Sequence, residues 1–181
     1  MSKQKLESNQ EIIKNIIQTF PGLRFNEIKK EGSIANGTLQ HHLSSLEKLG
    51  QISIDYDNST PRYFFKEIDS DSRIIIKRLN QVTPSRIIKL LLKKECQTFS
   101  QIVKYSKKSP GTVSLYKNKM GADKIIVGTT DGCKYCKNRG NMKIKYRLVD
   151  PEKVRTLVIE FGKSSLSKSA DNLADIFLSL R

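Results

Sequence analysis

GTLQHHLSSLEKLGQISID, residues 37–55, changes its hydrophobic period partway along. Leu39, Leu43, Leu46 and Leu49 recur at spacings of three and four, which puts them on one face of a helix from about Asn36 to Leu49. Gly50 supplies the stop. Beyond it the period falls to two, and QISIDYD (51–57) and RYFFKE (62–67) read as strands around the turn Asn58-Ser59-Thr60-Pro61. Upstream, EIIKNIIQTF (11–20) is a helix-spaced apolar run stopped by Pro21-Gly22. A short helix at about Phe25–Glu31, with Asn26 as its N-cap, and a Gly32-Ser33 turn complete the series.

The series occurs twice. Displacing the sequence by 74 residues sets Ile13 on Ile87, Phe25 on Phe99, Ile28 on Ile102, Gly37 on Gly111, Thr38 on Thr112 and Ile52 on Ile126. Ile16, Ile17, Leu39 and Leu46 fall on Leu90, Leu91, Val113 and Met120. The second series starts with Thr83 as cap and Pro84 in the first turn. It continues through helices SRIIKLLLKKE, FSQIVKYS and PGTVSLYKNKM to strands KIIVG and MKIKYRL, with the longer loop TTDGCKYCKNRGN between them. A connector, about 68–82, has patches that fit a short bridging helix. After Asp150-Pro151, Val154, Leu157, Val158 and Phe161 form one helical stripe; Leu173, Ile176, Phe177 and Leu180 form another. These stripes suit packing on the second unit or a homodimer seam.

Helix, helix, turn, helix and β-hairpin is the layout of the winged helix-turn-helix. The expected fold is α+β and mainly helical: winged units at 1–67 and 83–149, a connector at 68–82, and a C-terminal helical segment at 150–181. Residues 37–55 resemble the third helix and first wing strand of ArsR- and MarR-like bacterial and archaeal regulators, through Thr38, His42-Leu43 and Leu49-Gly50. The second copy is similar at its start, Ser109-Pro110-Gly111-Thr112-Val113. It departs from the pattern where Lys117 replaces Leu43, Asp123-Lys124 replaces Leu49-Gly50, and Leu115 replaces His41. The resemblance spans about residues 10–150. It implies DNA-binding transcription regulators with two winged domains.

Charge points to a polyanion. Lys and Arg number 33 against 18 Asp and Glu, a net +15. The excess is local: residues 1–66 carry nine basic against seven acidic residues, while 101–147 carry twelve against two. The core stripe of the first unit's third helix leaves Asn36, Thr38, Gln40, His41, Ser44 and Ser45 for a major groove. Gln40 can pair with adenine and Thr38 suits a phosphate oxygen. His42, beside Leu43, reads first as a packing residue and second as a phosphate contact. Arg62 on the first wing joins the candidate contacts. In the second unit they are Lys107, Lys108, Thr112, Ser114, Lys117, Asn118 and Lys119, with Lys134, Lys137, Arg139 and Lys143 on the wing. The first unit is expected to read more of the sequence and the second to supply electrostatic grip.

The expected partner is double-stranded DNA, with no membrane and no required cofactor. No run of about 18 apolar residues occurs. MSKQKLESNQ lacks the apolar core of a signal peptide, so the expected location is the cytoplasm, at the nucleoid. Cys133 and Cys136 have the spacing of half a zinc site or a redox pair, with Cys96 as a possible third ligand; an incidental reduced pair is the third reading. No glycine-rich phosphate loop, HExxH or Ser-His-Asp set supports catalysis. A replication or plasmid initiator, an architectural DNA binder and a protein-interaction module of a larger assembly remain the alternatives to a regulator.

Overall fold

The leucine stripe folds as its period requires. In the computed structural model, which describes residues 2–130 and 144–162, α3 (Asn36–Lys48) buries Leu39, Leu43 and Leu46. They pack with Ile13, Ile16 and Ile17 of α1 (Ser2–Thr19), Ile28 of α2 (Phe25–Gly32), and Ile52 and Tyr63. Leu49 leaves the stripe and is 62% exposed, because it is the residue after the last helical turn. The N-cap of α2 is Arg24, two residues before Asn26; its backbone N–H donates to the Glu27 carboxylate at 2.7 Å.

Strands β1 (Ile52–Asp57) and β2 (Thr60–Phe65) pair antiparallel from Ile52–Phe65 to Asp57–Thr60. This register leaves Asn58 and Ser59 as a two-residue loop, both at positive φ, which matches the right-handed twist of the strands. Leu23 bridges to Tyr63 on the other edge of the hairpin.

The same order of elements returns. It runs α5 (Val82–Lys93), β3 (Gln97–Thr98), α6 (Phe99–Ser106), α7 (Pro110–Ala122), β4 (Ile126–Thr129) and β5 (Lys145–Leu148), with sheet order β3-β5-β4. The residues matched at an offset of 74 share their environments. Ile13 and Ile87, Ile28 and Ile102, Leu39 and Val113, and Leu46 and Met120 are all fully buried. The bridge from Leu23 to Tyr63 has a counterpart in Gln97 paired with Tyr146. Helix α5 starts before the Thr83-Pro84 pair: Gln81 is its N-cap and both Thr83 and Pro84 are buried.

The connector is helix α4 (Ser70–Leu79), capped by Asp69, whose carboxylate accepts the Ser72 N–H at 3.0 Å. The Ser72 hydroxyl, donating to the same carboxylate at 2.5 Å, together with that N–H and nearby Lys153, holds the Asp69 carboxyl well below its usual pKa. Ile75, Ile76 and Leu79 enter the second core, and so do Val154, Leu157 and Val158 of α8 (Pro151–Gly162). The first C-terminal stripe is therefore an internal packing surface. The second, at Leu173–Leu180, lies outside the described residues.

One residue of the first hairpin crosses between the cores. Phe64 is fully buried and belongs to the second cluster, whereas its neighbour Tyr63 belongs to the first. The Pro21–Gly22 turn is pressed against it: a Cβ added at Gly22 would stand 3.0 Å from Phe64 Cζ and from Asn80 Nδ2, and Gly22 has φ +80°. Gly22→Ala thus combines backbone strain of about 1–2 kcal/mol with two close approaches. Its urea midpoint should fall, whereas Gly37→Ala, with nothing within 4 Å, should raise or preserve it.

Candidate nucleic-acid interface

Helix α3 turns a polar, uncharged face outward. Asn36, Gly37, Gln40, His41 and Ser44 are exposed, and Thr38 and Ser45 are half-buried. No carboxylate appears on the helix before Glu47. Amide, imidazole and hydroxyl groups can donate to and accept from base edges, and the uncharged first turn suits a phosphate. The sequence-derived set on this helix is therefore a contiguous, accessible surface.

His42 lies beneath it, 3% exposed, with its Nε2 buried and without a hydrogen-bond partner among the described residues. Burial lowers its pKa from 6.5, and neighbouring His41, with ring centroids 5.4 Å apart, adds to the effect. The folded state thus takes up the proton later than the unfolded state. Stability is complete above about pH 6.5 and declines as the pH falls through that value, by at most about 1.4 kcal/mol per pH unit. A melting-temperature series from about pH 7.5 to about pH 5.5 should show this loss, and His42→Leu should flatten it.

Helix α7 is built differently. Ser109 caps it, accepting the Thr112 N–H at 3.3 Å and sharing a 2.9 Å contact with the Thr112 hydroxyl; Pro110 begins the first turn. Lys107, Lys108 and Asn118 are exposed, and Ser114 and Lys119 are half-buried. Lys117 was expected to reach DNA, but its ammonium turns toward the sheet. It lies 3.5 Å from the Tyr146 hydroxyl, 5.2 Å from that ring and 6.0 Å from the Phe99 ring. At the position of Leu43 its stem fills apolar space, and aromatic faces take the charge. Leu115, 52% exposed, occupies the position of His41.

Arg62 is not a DNA contact. It is 2% exposed and donates to the Gly22 carbonyl at 2.8 Å, while its other edge faces Asp57 at 3.4 Å. Burial lowers its pKa most, with Arg24 adding to this; Asp57 opposes the shift. Strand alternation would place Arg62 on an open face. That face is instead closed by the Gly22 carbonyl and Asp57, and Phe64, two residues on, enters the second core.

A basic groove of about 660 Å³ was missed from sequence. Arg86, Lys89, Lys94, Lys104 and Lys107 line it with Gln97, Gln101 and Tyr105, and among the described residues no acidic side chain does. It runs between α5 and α6. Arg86 also donates to the Ser106 carbonyl at 2.8 Å, at the end of α6. Three of its cations lie outside the 101–147 window, which is why counting charges along the chain did not gather them.

Lys134, Lys137, Arg139, Lys143, Cys133 and Cys136 lie outside the described residues. Cys96 is buried and disulfide-bonded, so in this state it has no thiolate to offer zinc. Among the described residues no group of three or more His, Cys, Asp or Glu is placed to hold a metal. Among them, too, no helix is long and apolar enough to cross a membrane.

Residues 7–76 match the model of a protein family described as an N-terminal HTH domain. No curated protein and no solved structure matches the chain. The match takes in α2, α3 and the hairpin, and it stops within α4. Residues 7–76, which include the outward polar face of α3, are thus similar to a helix-turn-helix domain.

Proposed function

We propose that the chain is a transcription regulator that binds double-stranded DNA through two winged helix-turn-helix units, 1–67 and 83–149, linked by 68–82. The observation that carries this reading is the accessible face of α3, Asn36, Gln40, His41 and Ser44, within residues similar to a helix-turn-helix domain. Two further features support it. The burial pattern recurs at an offset of 74 residues, and residues 101–147 hold twelve basic against two acidic residues. In this reading α3 supplies more of the base recognition, and Thr112, Ser114 and Asn118 of α7 supply the rest. The second unit supplies phosphate contacts through Lys104, Lys107 and Lys108. It acts in the cytoplasm as a non-enzymatic protein and needs no cofactor. Helix α8 packs internally, so a homodimer is not required.

A mainly, not wholly, electrostatic role for the second unit is favoured by one observation: Lys117 faces inward and Leu115 stands where a base-reading residue would be.

The test is a titration against random-sequence duplexes at low and near-physiological salt, followed by sequencing of the bound pool. A convergent motif, unchanged by a zinc chelator, supports the regulator. Binding without a motif means architectural grip throughout. Absence of duplex binding leaves a protein-interaction module.

A further inference from the structure

The first hairpin does not stand free as a wing. Asp57, beside the Asn58-Ser59 loop, receives Gln81 at 2.5 Å, Arg62 at 3.4 Å and Arg78 at 3.5 Å. Arg78 belongs to α4, and its Nε donates to Asp123 at 2.5 Å. Asp123 is the residue that ends α7. One guanidinium, 7% exposed, thereby joins the tip of the first hairpin to the end of the second outward helix. Its flanks are pinned too. Arg73 of α4 reaches Ser53 at 2.9 Å and Asp55 at 3.3 Å on β1. Asn80 donates to the Pro21 carbonyl at 3.0 Å, and Phe64 of β2 fills part of the second core.

These contacts have a geometric consequence. A flexible linker leaves two recognition helices free to turn relative to each other. A buried chain of charges has far fewer satisfactory arrangements, since any rotation leaves a desolvated charge unpaired, and its best-attested use is to specify register. Duplex DNA is demanding in this respect. Each added base pair moves a second half-site by about 3.4 Å and turns it by roughly 35° about the axis.

We propose that a single chain recognises a two-part duplex site at one fixed spacing, with Arg78 as the positioning residue that sets the register between α3 and α7. The hairpin β1–β2 is the strut of this arrangement and not a groove probe. The inference rests on the DNA-binding reading above and specifies the kind of site it takes.

The test uses the full chain and duplexes in which the two halves of its selected site are separated by every spacing over about one helical turn. The unaltered protein should prefer one spacing over its neighbours by roughly tenfold. Asp123→Ala removes the grip on α7 while leaving Asp57 to Arg78, Arg62 and Gln81. It should flatten the preference to within about threefold and keep most of its affinity for the first half alone. Arg78→Gln should flatten it likewise. A merely structural role would lower the melting temperature of both variants without moving the preferred spacing. The inference is overturned if the unaltered protein binds all spacings alike, if its selected site is a single undivided motif, or if the folded variants retain the original peak. Absence of all duplex binding is a separate result that removes the DNA reading itself.

Discussion

Asp57→Ala is expected to destabilise the protein by about 3–5 kcal/mol, the usual penalty for stripping one partner from a buried charge pair. Asp57 is 9% exposed and faces two guanidiniums, one of them 2% exposed. Without its carboxylate, Arg62 and Arg78 remain desolvated, and of the two only Arg78 keeps a carboxylate, that of Asp123. Small proteins have only about 5–15 kcal/mol in total, so the loss should appear as a melting temperature lower by roughly 10 °C. Asp55→Ala is the informative control. It lies two residues away on β1, but its pair with Arg73 is 28% and 21% exposed. Solvent screens such a pair, and its loss should cost less than about 1 kcal/mol. Equal effects from the two substitutions would show that Asp57 is no more critical than a surface acid, and the strut would lose its energetic basis.

The second large effect is in salt dependence. A protein making about 6–10 phosphate contacts loses about 10³–10⁵ in affinity between 50 and 200 mM salt. Replacing Lys104, Lys107 and Lys108 together by Gln should make the log–log slope shallower by nearly three, since each released counterion contributes about 0.9. These lysines are exposed, and among the described residues no side-chain hydrogen bond of theirs supports the fold, so stability should hold. Gln40→Ala with His41→Ala should do the opposite. The slope stays, while discrimination at the bases they read falls by about 1–3 kcal/mol for each well-formed hydrogen-bonded pair with a base edge that is removed. Titrations at four or five salt concentrations separate the two outcomes. An unchanged slope in the triple-lysine variant would place the phosphate path elsewhere on the chain.

Much of the candidate surface was legible before the fold. The leucines of α3 settle which residues are left outside, because 3.6-residue periodicity converts position directly into direction. Asn36, Gln40, His41 and Ser44 are exposed, and His42 is buried, as that geometry requires. Arg62 and Lys117 show where such reasoning fails. Alternation on β2 presumes one open face, yet Arg62, Tyr63 and Phe64 are all buried because both faces of the hairpin are covered. A lysine at a core position of a helix reads as a surface cation unless the aromatic rings that receive it, Phe99 and Tyr146, are known to lie opposite. The basic groove escaped for a related reason, since its cations come from two helices and the turns that follow them.

The sequence by itself determined the order of elements, the leucine and isoleucine positions that build each core, the 74-residue recurrence and the outward face of α3. All of these follow from hydrophobic period and local turn chemistry, which act over a few residues. Only the tertiary structure decided that both faces of the first hairpin are covered and that Arg78 links Asp57, 21 residues before it, to Asp123, 45 residues after it. Pairing of that kind depends on which surfaces meet once both cores have formed, and a charge in a sequence carries no mark of the partner that burial will give it.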